Sequence, residues 1–206
     1  MSPTPPTPPR PPRSARLTST KERPVPGAGP LGMAVFLASL SVLFVASLVG
    51  YAVVRATAPE WPPAGAPPLP RTLWLSTLLL VASSGALHAA LVGARRGRQG
   101  LVRAGLLATC ALGLGFLVTQ GLAWSTLAER MPPTTATQYS FTFYMLTALH
   151  AAHVLGGVGP LGVSTVRGLL GRYGPEEHGG LRLVAMYWHF LDAVWLALFV
   201  ALYLVG

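Results

Sequence analysis

Five long apolar stretches dominate the pattern of hydrophobic and polar positions along the chain. They are Leu31–Val54, Thr72–Ala94, Ala104–Ala128, Tyr139–Val166 and Leu183–Gly206. Each provides the roughly 20 residues that an α-helix needs to cross about 30 Å of hydrocarbon, since each helical residue rises about 1.5 Å. Only a helix satisfies all of its own backbone polar groups in lipid, so the pattern predicts an all-α integral membrane protein with five transmembrane helices.

The segments between these stretches are too short for an inserted soluble domain. Residues 1–30 differ from the rest, because they hold ten of the 20 prolines together with Ser, Thr and Arg. Proline lacks a backbone donor and clashes with the preceding helical turn, so this segment is expected to be a disordered cytoplasmic tail. The predicted organisation is therefore a tail over residues 1–30 and one membrane domain over residues 31–206.

Composition supports the membrane class. Hydrophobic residues make up 51% of the chain and charged residues only 10%, whereas a soluble domain carries about 25% charged residues. These values disfavour a soluble enzyme. The single cysteine, Cys110, excludes an internal disulfide and a cysteine-based metal cluster.

The net charge of +9 is an orientation signal. Twelve of the 15 Lys and Arg residues lie in the tail and in the connections 95–103 and 167–182, which five alternating helices place on one side of the membrane. The positive-inside rule then predicts a cytoplasmic N-terminus and an extracytoplasmic C-terminus. No basic stripe is interleaved with aromatic residues, so no nucleic-acid partner is expected.

Ionisable side chains inside the predicted spans are the candidates for function, because keeping a charge in the membrane is costly. Asp192 is the only acidic residue well inside a span, and it follows His189 by three residues. That spacing places both side chains on one helix face, where they can form a hydrogen bond. Asp192 has two interpretations. It is either a carboxylate paired with His189 or with a neighbouring helix, or part of a proton relay.

The fourth span holds His150 and His153, also three residues apart. Metal or haem ligation is one interpretation of this pair, and hydrogen bonding between helices is the other. Gln120 in the third span is a further candidate for such hydrogen bonding. Helical spacing predicts two interior stripes, one with Phe143, Thr147, His150, Val154, Gly157 and Leu161, and one with Trp188, Asp192, Trp195 and Phe199. Small residues predict close helix approach at Gly113, Gly115, Gly156, Gly157 and Gly159.

Two strings in the last spans carry a family resemblance. The string FYMLTALHAAHVLGG (Phe143–Gly157) resembles the pattern F-x-x-T-G-x-H-x-x-H-V of subunit III of haem–copper terminal oxidases. The string YWHFLDAVWLALF (Tyr187–Phe199) is similar to that family's signature Y-W-H-F-V-D-x-V-W. A looser match is LGLGFLVTQGLAW (Leu112–Trp124) in the third span. The resemblance covers residues 31–206 and is to the shorter, five-helix bacterial form.

The resemblance implies a subunit without a redox centre in a bacterial respiratory oxidase of the cytoplasmic membrane. Haem and copper are then expected in the catalytic partner, subunit I, with subunit II as a second partner. Phospholipid is expected in a cleft of this chain, which would support stable turnover and proton uptake in aerobic electron transport. No catalytic or metal-ligating residue is expected here. By resemblance, the structural, lipid-cleft or subunit-interface residues are Gln120, Thr147, His150, His153, Tyr187, Trp188, His189, Asp192 and Trp195.

Three positions depart from the family pattern. Leu40, Ala123 and Arg182 stand where relatives often carry glutamate. These losses leave open a subunit III-like accessory of a nitric oxide reductase or of another respiratory complex. An independent membrane transporter or di-haem cytochrome is a third alternative. If the family's lipid cleft persists here, a glutamate at position 123 is expected to be tolerated.

Overall fold

The computed structural model describes residues 27–66, 68–130 and 137–204, and these residues form five long α-helices joined by turns. The helices are α1 (Ala28–Thr57), α2 (Thr72–Arg95), α3 (Gln99–Arg130), α4 (Gln138–Leu169) and α5 (Gly179–Leu204). Each is long and apolar enough to cross a membrane. The prediction of an all-α protein with five spanning helices is therefore confirmed. The predicted tail, residues 1–30, lies outside the described residues up to residue 26, and α1 already begins at Ala28.

Glycines follow the C-terminal ends of α2 and α4, and a threonine caps the N-terminal end of α4. Gly97 adopts a left-handed φ of 66° between α2 and α3, a conformation that costs glycine little because it has no Cβ. Gly171 does the same after α4, where the N–H of Arg172 donates to the carbonyl of Arg167 across 3.0 Å. At the other end of α4, the Thr137 hydroxyl accepts from the Ser140 N–H at 3.3 Å and caps the helix.

Four helices, α2 to α5, form the packed part of the bundle, and consecutive helices run antiparallel. Helices α2 and α3 lie close together at Gly105, where a methyl group would lie 2.7 Å from the carbonyl oxygen of Ala86. Helix α1 lies at the edge, packs mainly against α4 and α5, and runs parallel to α5. It buries few side chains in this chain, namely Leu40, Phe44 and Tyr51.

The connections 95–103 and 167–182 lie at the same end of the bundle, called the basic end here. The Gln99 side-chain N–H donates to the Tyr173 carbonyl across 2.5 Å, which joins the two connections directly. The start of α1 is also at this end, since a methyl group on Gly29 would lie 3.6 Å from Cδ1 of Leu183, near the start of α5. The arginines of both connections therefore cluster at one end, as the charge pattern predicts.

Candidate functional site on helices two to five

Two tryptophans of α5 join that helix to hydroxyl groups of α2. The indole N–H of Trp188 donates to Oγ of Ser83 across 2.9 Å, and that of Trp195 donates to Oγ1 of Thr77 across 2.9 Å. Both rings are only 1% exposed. A buried indole N–H needs an acceptor, so these bonds specify the α2–α5 register as well as stabilising it. Both tryptophans belong to a predicted interior stripe, whereas their partners Ser83 and Thr77 are not among the predicted site residues.

Glycines on two other helices make room for the Trp188 ring. A methyl group on Gly113 of α3 would lie 2.8 Å from Cζ2 of Trp188. On α4, a methyl group on Gly157 would lie 2.8 Å from the Tyr187 ring and 3.4 Å from the Trp188 ring. The prediction of close approach is confirmed at these two glycines. At Gly115 the nearest atom would be Cδ1 of Leu79 at 3.5 Å, an ordinary contact, and at Gly156 and Gly159 no described residue of this chain lies within 4 Å.

His189 and Asp192 lie near the middle of α5, facing α2. Nδ1 of His189 is hydrogen-bonded to the Ser84 hydroxyl at 2.5 Å, and its ring lies 6.1 Å from the exposed ring of His88. Asp192 is half-buried beside Ser84 and His189. His189 is bonded to Ser84 rather than to Asp192, and Asp192 lies beside the neighbouring helix α2, which is the other predicted location of its partner. The sequence signal for Ser83 and Ser84 is that α2 carries hydroxyl side chains among small residues, which favours hydrogen bonds to a neighbouring helix.

The predicted stripe of α4 is buried throughout, from Phe143 to Leu161. Within it, the Thr147 hydroxyl accepts the indole N–H of Trp124 from α3 at 3.0 Å. His153 is half-buried at the edge of the stripe, and its Nδ1–H donates to the Leu149 carbonyl at 2.7 Å. The carbonyl of His153 in turn accepts from the Tyr187 hydroxyl at 2.9 Å. These contacts link α3, α4 and α5 through polar groups.

His150 lies at the centre of the bundle and is fully buried. Aromatic rings surround it, with centroids 5.1 Å away for Trp195, 5.6 Å for Phe116 and 6.3 Å for Phe44. Neither ring nitrogen has a hydrogen-bond partner within the part of the chain that the structure describes, and the same holds for the buried amide of Gln120. Among the described residues, no three His, Cys, Asp or Glu side chains come together in a group that could hold a metal ion.

The three positions that lack the family's glutamates have different surroundings. Leu40 is 8% exposed and belongs to the apolar core on α1, and Ala123 is 0% exposed on α3. Arg182 is exposed near the start of α5, at the basic end. Positions 40 and 123 therefore lie in the apolar core, and a glutamate at position 123 would have to enter that core.

Five spanning helices, joined through polar and aromatic contacts in their interior, define a multi-pass helical membrane protein. Residues 16–206 match the family model described as cytochrome c oxidase subunit III. The chain belongs to that family, and it is therefore a subunit of an oxidoreductase complex rather than a soluble enzyme.

Individual relatives carry the same name. A cytochrome c oxidase subunit 3 from Synechocystis sp. is 30% identical over 186 residues, covering 87% of this chain and 76% of the relative. One from Thermostichus vulcanus is 29% identical over 180 residues, covering 84% of this chain and 86% of the relative. A probable cytochrome c oxidase subunit 3 from Mycobacterium tuberculosis is 30% identical over 184 residues, covering 87% and 89% of the two chains.

Proposed function

We propose that this chain is the non-redox subunit III of a bacterial cytochrome c oxidase in the cytoplasmic membrane. It packs against the catalytic subunit I in a complex with subunit II, and it supports stable turnover and proton uptake in aerobic electron transport. The family match over residues 16–206 carries this proposal. Haem and copper are assigned to the catalytic partner.

The charge distribution supports a cytoplasmic basic end. Arg95, Arg96, Arg98 and Arg103 flank the α2–α3 connection, and Arg167, Arg172 and Arg182 flank the α4–α5 connection. Of the Lys and Arg residues in the part of the chain that the structure describes, only Arg55, Arg71 and Arg130 lie at the opposite end. The positive-inside rule then orients the N-terminus of α1 to the cytoplasm and the C-terminus of α5 outward.

An apolar groove near the basic end supports phospholipid binding by this chain. The groove has a volume of about 600 Å³ and lies between α1, α4 and α5. Met33 and Phe36 of α1 form one wall, and Val163, Val184 and Tyr187 line the other side. Pro160, which also lines the groove, has no N–H to donate to the Gly156 carbonyl one turn earlier. A groove of this shape and chemistry accommodates an acyl chain along the bundle.

The end of the groove carries a positive charge at headgroup depth. Arg167 lines it, and Nη1 of Arg167 lies 3.9 Å from the position of a methyl group on Gly180, in the first turn of α5. The first N–H groups of a helix have no partners within that helix and favour an anion. Arg167 and the start of α5 together suit the phosphate of a phospholipid headgroup.

Purification of the tagged chain in mild detergent tests the proposed complex. We expect subunits I and II of an oxidase to co-purify, together with the reduced-minus-oxidised spectrum of their haems. The spectrum should be absent when the chain is expressed without these partners. Recovery of the chain alone, or with a nitric oxide reductase, contradicts the proposal.

Native mass spectrometry of the complex tests the lipid groove. Arg167→Gln and Gly156→Leu should each lower the occupancy of bound phospholipid, since the first removes the charge and the second blocks the groove. Gly159→Leu is the matched control, because a side chain there also meets nothing within 4 Å but Gly159 does not line the groove. Equal occupancy in all three variants and in the wild type contradicts lipid binding at this groove.

A further inference from the structure

A polar notch lies on the outer surface of the bundle, halfway along α2 and α5. It consists of Ser84, His88, His189 and Asp192. Ser84 and His189 are hydrogen-bonded to each other, and His88 packs beside His189 on the exposed side. Asp192 lies beside Ser84, with Oδ1 buried in the notch and the side chain as a whole only half-buried. The notch therefore presents an exposed imidazole and a partly exposed carboxyl group halfway along two spanning helices.

The surface around the notch is apolar and has a gap on α2. Leu78, Val81, Gly85 and His88 follow one another at spacings of three and four residues, so they form one stripe of α2. Leu78 is 65% exposed and Val81 is 42% exposed. A methyl group on the exposed Gly85 would meet nothing within 4 Å. A helix backbone can approach closely at such a position, as small residues allow at membrane helix contacts.

Lipid acyl chains cannot satisfy the polar groups of this surface. Ionisable groups within spanning helices almost always face protein or a water-filled cavity, because hydrocarbon offers them no hydrogen bond. An acyl chain has no donor for the partly exposed carboxyl group of Asp192 and no partner for the ring nitrogens of His88. A neighbouring helix with a hydroxyl, amide, indole or guanidinium group supplies both apolar contact and a donor.

We propose that a transmembrane helix of another subunit of the oxidase packs on the α2–α5 surface at Gly85 and donates a hydrogen bond to Asp192. This inference rests on the proposed function, because it requires membership of a multi-subunit complex. Because Gly85 has no side chain, the partner helix can approach α2 closely there. Leu78 and Val81 extend the contact along the partner helix with apolar packing. Asp192 and His88 determine which partner helix fits, because only a helix with a donor at that depth satisfies them.

Co-purification with a variant at Gly85 tests the contact. Gly85→Leu should leave the thermal unfolding of the isolated chain unchanged, since the space around Gly85 is open. It should lower the yield of co-purified partner subunits by about tenfold, equivalent to ~1.4 kcal/mol. Gly121→Leu on α3 is the matched control, because Gly121 is equally exposed and open, and it should assemble normally. An unchanged yield with Gly85→Leu, or an equal loss with Gly121→Leu, overturns the inference.

A photoactivatable cross-linker at position 85 of the full complex identifies the neighbour. Cross-links to a spanning helix of another oxidase subunit, weakened by Asp192→Leu but retained in Asp192→Asn, support the inference. Cross-links only to lipid, or only to a second copy of this chain, overturn it. A wild-type chain that brings down no oxidase subunits contradicts the proposed function itself. Assembly of wild type and Gly85→Leu to the same extent contradicts only the α2–α5 contact.

Discussion

Trp124 of α3 donates its indole N–H to the Thr147 hydroxyl of α4 across 3.0 Å. The Tyr144 hydroxyl, one turn earlier on α4, reaches the Trp124 carbonyl at 3.5 Å. These bonds join two antiparallel helices near the end opposite the basic end, and they specify which turn of α3 faces which turn of α4. One turn further into the bundle, the same register places Gln120 at the level of His150.

A double-mutant cycle measures the free energy that the hydrogen bond between Trp124 and Thr147 contributes to stability. Trp124→Phe and Thr147→Val each remove one partner while keeping most of the packing. Hydrogen bonds between membrane helices average ~0.6 kcal/mol and reach ~1.7 kcal/mol, and we expect the upper part of that range because Thr147 is fully buried. The free energy of unfolding in detergent, measured by circular dichroism for both single variants and the double variant, gives the coupling.

The control for this cycle is a pair of described residues that no hydrogen bond joins. Trp74→Phe and Thr126→Val change the same residue types at exposed positions of α2 and α3. Their effects should add, so their coupling energy should be close to zero. A coupling between Trp124 and Thr147 as small as that of the control pair contradicts the assigned role of the bond.

Gly113 is expected to tolerate no side chain. In Gly113→Ala the new methyl group would lie 2.8 Å from the buried Trp188 ring, which is held by its bond to Ser83 and cannot move away freely. Gly121→Ala on the same helix meets open space, and the gain in helix propensity of ~1 kcal/mol should leave it neutral or more stable. The thermal unfolding midpoint should therefore fall for Gly113→Ala and not for Gly121→Ala. Similar midpoints would mean that the ring is not confined.

The five helices could be predicted from the sequence because their signal is local. A stretch such as Thr72–Ala94 needs only its own residues to be recognised as a span, and α2 begins and ends within one residue of that stretch. The interior stripe from Phe143 to Leu161 is also local, since it follows from helical spacing. The buried side of α4 therefore agrees with the prediction.

Contacts between helices could not be predicted in the same way. His189 has two polar neighbours. Asp192 lies one turn further along the same helix, which the sequence alone shows, whereas Ser84 lies on α2 and is found only in the structure. The structure selects Ser84, because Trp188 and Trp195 bond to Ser83 and Thr77 and so determine which residues of α2 face α5. That choice depends on an antiparallel register between residues more than 100 positions apart.

A glutamate at position 123 is expected to destabilise the bundle. Ala123 is 0% exposed, and a carboxylate there would be buried against apolar side chains. An uncompensated buried charge is among the largest single-residue penalties, commonly ~3 kcal/mol or more. Ser125→Glu, two residues further along α3 and exposed, is the control and should remain folded. Size-exclusion chromatography and thermal unfolding in detergent distinguish the two variants. Wild-type stability of Ala123→Glu would show that a polar cleft reaches this position.

His150→Leu is expected to keep or raise the stability of the chain. Both ring nitrogens of His150 are buried without a partner in the described ranges, and an unsatisfied buried polar group costs ~1–3 kcal/mol. Leucine has a similar volume and removes that penalty while keeping contact with Phe116 and Trp195. Trp195→Leu is the comparison, because it removes both a large ring and a bond to Thr77 and should lower the unfolding midpoint. A large loss in His150→Leu would instead mean that His150 has a partner. Gln120, at the same level of α3, is then the first residue to test, and the double variant with Gln120→Leu should recover the lost stability.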